Sequence, residues 1–153
     1  MVEIKDMVSK PYNVMSWVLR DKDGNIIDSG KTLNQIQTAH ATSLANQVDS
    51  TPAAAGGLYT KIAASDAGIP AASATDLAGN LLPAATYYTV TASTSAGAVV
   101  TTTYTFTAGQ ATGAILSVGL YTVGAGTLMC CASLVCTKGA SDTLAVTWTV
   151  TFS

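Results

Sequence analysis

From Leu77 to Thr137 this chain carries no charged side chain. The run is not a membrane span, because Thr, Ser and Gly break every apolar stretch short of the roughly 20 residues that a bilayer needs. It is cut instead into short segments rich in Thr, Val, Tyr and Leu, the residues that suit a pleated, half-buried surface. Ala85 to Thr94 and Ala98 to Thr107 flank Ser95-Ala96-Gly97, and Ala114 to Val123 and Thr127 to Cys136 flank Gly124-Ala125-Gly126. Lys138 to Asp142 then turns into Thr143 to Phe152. There Leu144, Val146, Trp148, Val150 and Phe152 fall on one face, with Thr143, Thr147, Thr149 and Thr151 on the other, which is the period of a strand. Short strands at regular spacing, joined by glycine turns, predict an antiparallel β-sandwich or barrel of jelly-roll-like style. The strands share a style and not a sequence, so this is no solenoid.

Composition narrows the class further. Only 10% of the 153 residues are charged and 48% are hydrophobic, the reverse of the balance that keeps a chain disordered. With a net charge of −2 and a pI near 5.0, nothing draws the chain to nucleic acid or to an anionic membrane, and neither is an expected partner. A surface so short of charge invites association, so other subunits are expected to cover much of it. The alternative is a Thr- and Ser-coated sheet that is simply neutral. Met1 to Asp6 has neither the basic nor the apolar region of a secretory signal, so synthesis in the cytoplasm is expected. The cysteines agree: Cys130, Cys131 and Cys136 are odd in number and confined to one segment, unlike a disulfide framework.

Most of the charge sits at the other end, where residues 1–50 hold five of the seven basic and six of the nine acidic side chains. Residues 1–12 have mixed charges, Pro11 and no period, and are expected to form an extended N-terminal arm. The remaining residues, 13–153, are read as a single β-sandwich domain. Asn13 to Arg20 reads as a strand, Asp21 to Asn25 as a turn and Asn25 to Gly30 as the returning strand, giving a hairpin over 13–30. One short helix is expected over 33–48: Leu33, Ile36, His40, Leu44 and Val48 recur at helical steps, and Thr32 with Gln35 makes a capping box. Gly57 to Ala64 reads as the first of the antiparallel strands over 57–153, and Ser65 to Pro83 as a loop.

No constellation of catalytic chemistry emerges. His40, the only histidine, lies on the apolar stripe of the expected helix and reads as a hydrogen-bonded packing residue. Cys130 and Cys131 are adjacent and point to opposite faces of a strand. Cys136 shares a face with Cys130 but stands about 20 Å away, beyond disulfide reach, so all three read as small buried residues. Asp21-Lys22-Asp23-Gly24-Asn25 lacks the glycine and glutamate positions of a calcium loop and reads as a hairpin tip. Tyr87 and Tyr88 are adjacent, so one faces in and one out; an outward tyrosine would offer a contact to a glycan or partner. The scattered carboxylates nominate no glycosidase pair. No catalytic residue, cofactor-binding residue or metal ligand is nominated, no cofactor is expected, and the chain reads as a non-enzyme.

The order of elements carries a resemblance. Trp17-Val18-Leu19-Arg20-Asp21-Lys22-Asp23-Gly24-Asn25 resembles the strand and turn that open small structural proteins of tailed bacteriophages. Gly113 to Tyr121 (GAILSVGLY) and Gly126-Thr127-Leu128-Met129 are similar to their penultimate hairpin, and Ser141 to Val150 (SDTLAVTWTV) to their closing strand. The resemblance spans most of residues 14–153 as a style of strand and turn, not as a catalytic signature. It implies a virion structural protein: a capsid decoration (cement) protein, commonly a homotrimer at three-fold positions, whose partners are the major capsid protein and other virion subunits. A tail, neck or fibre component involved in host attachment is the alternative. Its expected location is the virion, after synthesis in the host cytoplasm. The chain departs from the pattern in its near absence of charge and in Cys130-Cys131 followed by Cys136.

Overall fold

The computed structural model describes residues 13–37, 60–83, 86–90, 92–96, 99–121 and 127–151. Their strands are β1 (Val14–Arg20), β2 (Ile26–Ile36), β3 (Lys61–Ser65), β4 (Tyr88–Thr89), β5 (Ala92–Ala96), β6 (Val99–Phe106), β7 (Gly113–Tyr121), β8 (Leu128–Lys138) and β9 (Thr143–Thr151). Every pairing is antiparallel. The order across the sheet is β4-β3-β7-β8-β2-β1-β9-β6-β5, and the sheet curls into a half-barrel. The mainly-β reading therefore holds.

The expected helix over 33–48 does not start where its periodicity begins. Leu33 and Ile36 belong to β2, with Leu33 opposite Val14 and Ile36 opposite Cys130. Among the described residues there is no helix; residues 38–48, with His40, lie outside them, as does the expected arm over 1–12. Long-range pairing overrides local spacing here. Thr32 and Gln35 form no capping box: Gln35 pairs with Cys131 and its side-chain amide donates to the carbonyl of Pro70 at 2.9 Å.

Two features let the sheet curl. β2 pairs with β1 through Ile26–Leu33 and with β8 only through Asn34–Ile36, so one long strand serves both halves of the sheet. β4 and β5 stand at opposite ends of the order, yet only residues 90 and 91 separate them. Three peptide steps reach at most about 11 Å, so the end of β4 and the start of β5 lie within that distance. Tyr88 of β4 packs there against Tyr104 and Phe106 of β6, with ring centroids 5.8 and 5.5 Å apart.

The concave face holds the main core. Met15 and Leu19 of β1, Phe106 of β6, Ile115, Val118 and Leu120 of β7, Cys130, Ala132 and Leu134 of β8 and Leu144, Val146 and Trp148 of β9 meet in it. The alternation read along β9 is thus the inside–outside alternation of the sheet. Gly30 is part of this packing. A Cβ there would run into the indole of Trp17, its cross-strand partner, so the bare backbone makes room for the ring.

A second, smaller core lies on the convex face. The segment between Ser65 and Pro83, read as a loop, is a strap laid over β3, β7 and β8. Its Leu77 and Leu81 are buried with Ala63, Tyr121, Leu128 and Cys131. Gly119 lets the strap approach, since a Cβ there would lie 2.5 Å from Leu128 and 3.2 Å from Leu77.

Candidate interaction surface

The strap is held by a carboxylate between two tyrosines. Tyr121 Oη donates to Asp76 Oδ1 at 2.7 Å and Tyr87 Oη donates to Asp76 Oδ2 at 2.8 Å. The backbone N–H of Leu77 donates to Tyr121 Oη at 3.3 Å, and that of Leu128 to the Thr75 carbonyl at 2.9 Å. The tyrosine rings meet edge to face, 5.0 Å apart. Burial, then the hydrogen bond to Asp76, pushes the Tyr87 hydroxyl up to about 12; the same causes raise that of Tyr121. Both hydroxyls keep their protons at neutral pH and act as donors that pin the strap. At the other end Asp66 accepts from Asn80 N at 2.7 Å and Nδ2 at 3.0 Å, and Ser117 Oγ donates to the Ala67 carbonyl at 2.7 Å. Sequence reasoning missed this clamp; its one signal is an isolated aspartate at the border of the uncharged run.

The residues singled out from sequence are not brought together. Cys130 lies in the concave core and Cys131 in the convex one, so they face opposite ways as expected. Cys136 joins Cys130 on the concave side, and all three thiols are free and buried. Burial pushes the Cys131 and Cys136 thiols up to about 11 and raises that of Cys130 as well. Such thiols are poor nucleophiles near neutrality. Tyr88 faces the concave core and Tyr87 the convex one, so they do point opposite ways. Tyr87, though, is half-buried against the strap and is not an open platform.

The Asp21–Asn25 segment is a hairpin tip closed on itself. Asp21 Oδ1 accepts from the backbone N–H groups of Asp23 and Asn25, each at 2.9 Å, and Oδ2 accepts from Asn25 Nδ2 at 2.9 Å. These bonds, first the one from the Asn25 side chain, hold the Asp21 carboxyl below its usual range. Gly24 takes a φ of 87°, where glycine is at ease. No group of three or more His, Cys, Asp or Glu that could hold a metal occurs among the described residues.

Lys138 is another feature that sequence reasoning passed over. It is buried at the end of β8, where Nζ donates to the carbonyls of Thr107 at 3.0 Å and Gly139 at 3.4 Å. Burial lowers its pKa while the charge of Asp142 works against that shift. It ties the β6–β7 turn to the β8–β9 turn.

What remains for recognition is the outside of the sheet. On β6 and β9, Thr101 stands opposite Thr149 and Thr103 opposite Thr147, away from the buried alternates Thr102, Phe106, Leu144, Val146 and Trp148. Ser16 and Val18 of β1 continue this uncharged face. Elsewhere, among the described residues, six large apolar side chains stand in solvent: Ile26 at 58% exposure, Ile27 at 53%, Leu33 at 60%, Ile69 at 42%, Leu116 at 36% and Val135 at 63%. Among the described residues, no helix is long and apolar enough to cross a membrane. No protein-family model, no curated protein and no solved structure matches the chain.

Proposed function

We propose that the chain is a structural protein of a virus particle, a decoration (cement) protein that binds the outside of a capsid and stabilises it. Its work on this reading is passive and needs no catalytic residue. Area buried against the shell adds to shell stability by mass action, and several copies acting together add avidity. The observation that carries the reading is a curled sheet with uncharged outer strands and, among the described residues, six large exposed apolar side chains. The resemblance of its opening strand, penultimate hairpin and closing strand to phage structural proteins points the same way. Assembly as a homotrimer on three-fold positions, a jelly-roll-like closure of the sheet and synthesis in the host cytoplasm complete the proposal.

The experiment is to mix purified protein with undecorated shells of the source virus and to follow heat stability during titration. Saturable binding with a rise in the melting temperature of the shell is expected. Shells that neither bind the protein nor melt later would sink the cement reading.

A further inference from the structure

We infer that the exposed apolar side chains form a two-part contact between copies of this chain, a prong on one copy and a patch on the next. This rests on the homo-oligomer part of the reading above and not on its capsid part. The prong is the β1–β2 hairpin tip. Ile26, Ile27, Asp28 and Ser29 are exposed in succession, as is Arg20 opposite Ile26, so the β2 arm of the hairpin stands in solvent while Leu19 of β1 stays in the core. Each of these consecutive isoleucines leaves more than half of its surface in solvent, at 58% and 53% exposure.

The patch lies on the convex face just beyond the strap. Register brings three of its members onto adjacent strands. Ser117 pairs with Ser133 and Ile115 with Cys136, which sets Leu116 beside Val135 across the β7–β8 bulge. Asn34 pairs with Ala132, which sets Leu33 beside Ser133. With strands about 4.8 Å apart and a rise of about 3.4 Å per residue, Leu33 and Val135 are roughly 8 Å apart. Ile69 borders them, because Ser117 holds Ala67 and Gln35 holds Pro70 on either side of it. The strap shows how such a surface is satisfied within the chain: Leu77 and Leu81 cover Tyr121, Leu128 and Cys131. Past Pro70 that cover stops, and Leu33, Leu116 and Val135 are left open.

Charge favours a second copy as the occupant. Lys31 is exposed two residues from Leu33 along β2, at the rim of the patch, and exposed Asp28 adjoins Ile27 of the prong. Docking a prong on a patch brings Asp28 of one copy toward Lys31 of the other. A net charge of −2 leaves little repulsion between copies. From the exposures, the patch offers roughly 350 Å² and the prong roughly 200 Å² of apolar surface, and the patch falls in the range of functional exposed patches. Such an area suits a weak contact, well under the ~1,600 Å² of a standard interface, and it gains strength when copies are arrayed together. A contact between unlike surfaces closes into a ring when its rotation allows.

Sedimentation velocity over a concentration series tests this. The wild-type chain is expected to associate with rising concentration, and Val135→Lys or Ile27→Lys to weaken association about tenfold each by burying a charge. Mixing the two variants is the decisive arm. Val135→Lys retains its prong and Ile27→Lys its patch, so the mixture regains complexes that neither variant forms alone. If either variant fails to fold by circular dichroism, Leu33→Lys and Ile26→Lys take their places. A wild-type chain that stays monomeric, association that both variants leave intact, or a mixture that stays apart would each overturn the inference. A monomer that still binds and stabilises shells would overturn this contact and leave the capsid reading standing.

Discussion

Replacing Tyr121 by Phe removes one oxygen from a side chain with no exposure and leaves its ring in place. That oxygen donates to Asp76 at 2.7 Å and accepts from the Leu77 N–H at 3.3 Å. A hydrogen bond to a charged group contributes about 1.5–3 kcal/mol. The Leu77 amide keeps a second acceptor in Asp76 Oδ1 at 2.8 Å, and Asp76 keeps Tyr87, so the cost falls near ~2 kcal/mol. For a chain of this length that lowers the melting midpoint by roughly 4–8 °C. Urea unfolding is expected to show a lower midpoint at unchanged slope, because the same surface is exposed on unfolding. Hydrogen exchange locates the effect: the Leu77 and Leu128 amides, which bond to Tyr121 and Thr75, lose protection before those of β1 and β9 do. Tyr87→Phe, half-buried, costs less, and the double variant falls short of the sum because both hydroxyls share one carboxylate. A Tyr121→Phe variant within about 0.5 kcal/mol of wild type, with strap amides as protected as before, would refute the clamp.

Gly30→Ala puts a methyl group into the Trp17 indole, and overpacking of this kind costs about 1–3 kcal/mol; denaturant unfolding reads the loss, and a neutral result would mean that the ring has room to move. Alkaline pH is expected to destabilise the fold. A thiol raised to about 11, as at Cys131 and Cys136, keeps its proton in the folded chain where the unfolded chain, near 9.0, has lost it. The folded state then binds more protons, so stability falls as pH climbs through that window. Lys138, lowered by burial, has the opposite slope just below 10.5 but is one group against three thiols and three tyrosines, Tyr87, Tyr104 and Tyr121. Melting midpoints measured from pH 8 to 10.5 should fall, and fall less when all three cysteines are replaced by alanine; a curve that rises would contradict the assigned burial.

Much of the sheet was legible because its signals are local. Alternation along Thr143 to Phe152 marks β9, and Asp23-Gly24 marks the hairpin between β1 and β2. Glycine misled where its role is packing. Gly30 reads as the end of a strand, yet β2 runs on to Ile36, because the residue makes room for Trp17 and is no stop signal. The helical spacing of Leu33 and Ile36 is real, but β8 supplies partners about 100 residues away that no local window contains. The strap was legible as a loop but not as a cover, since the Asp76 clamp depends on Tyr87, just ahead of β4, and Tyr121 of β7 arriving from distant parts of the chain. The exposed apolar patch was equally hidden. Leu33 and Val135 look like core residues in sequence, and only the register and the reach of the strap leave them outside.

The central proposal is that this chain clads a capsid, and its copy number in purified virus particles tests that proposal most directly. Quantitative mass spectrometry, or density in an electron cryomicroscopy map, counts the chain against the major capsid protein. Cladding predicts hundreds of copies, in a fixed ratio to that protein and spread over the shell by its symmetry. A handful of copies at one vertex would assign the chain to the tail, neck or fibre, and particles without it would contradict the account.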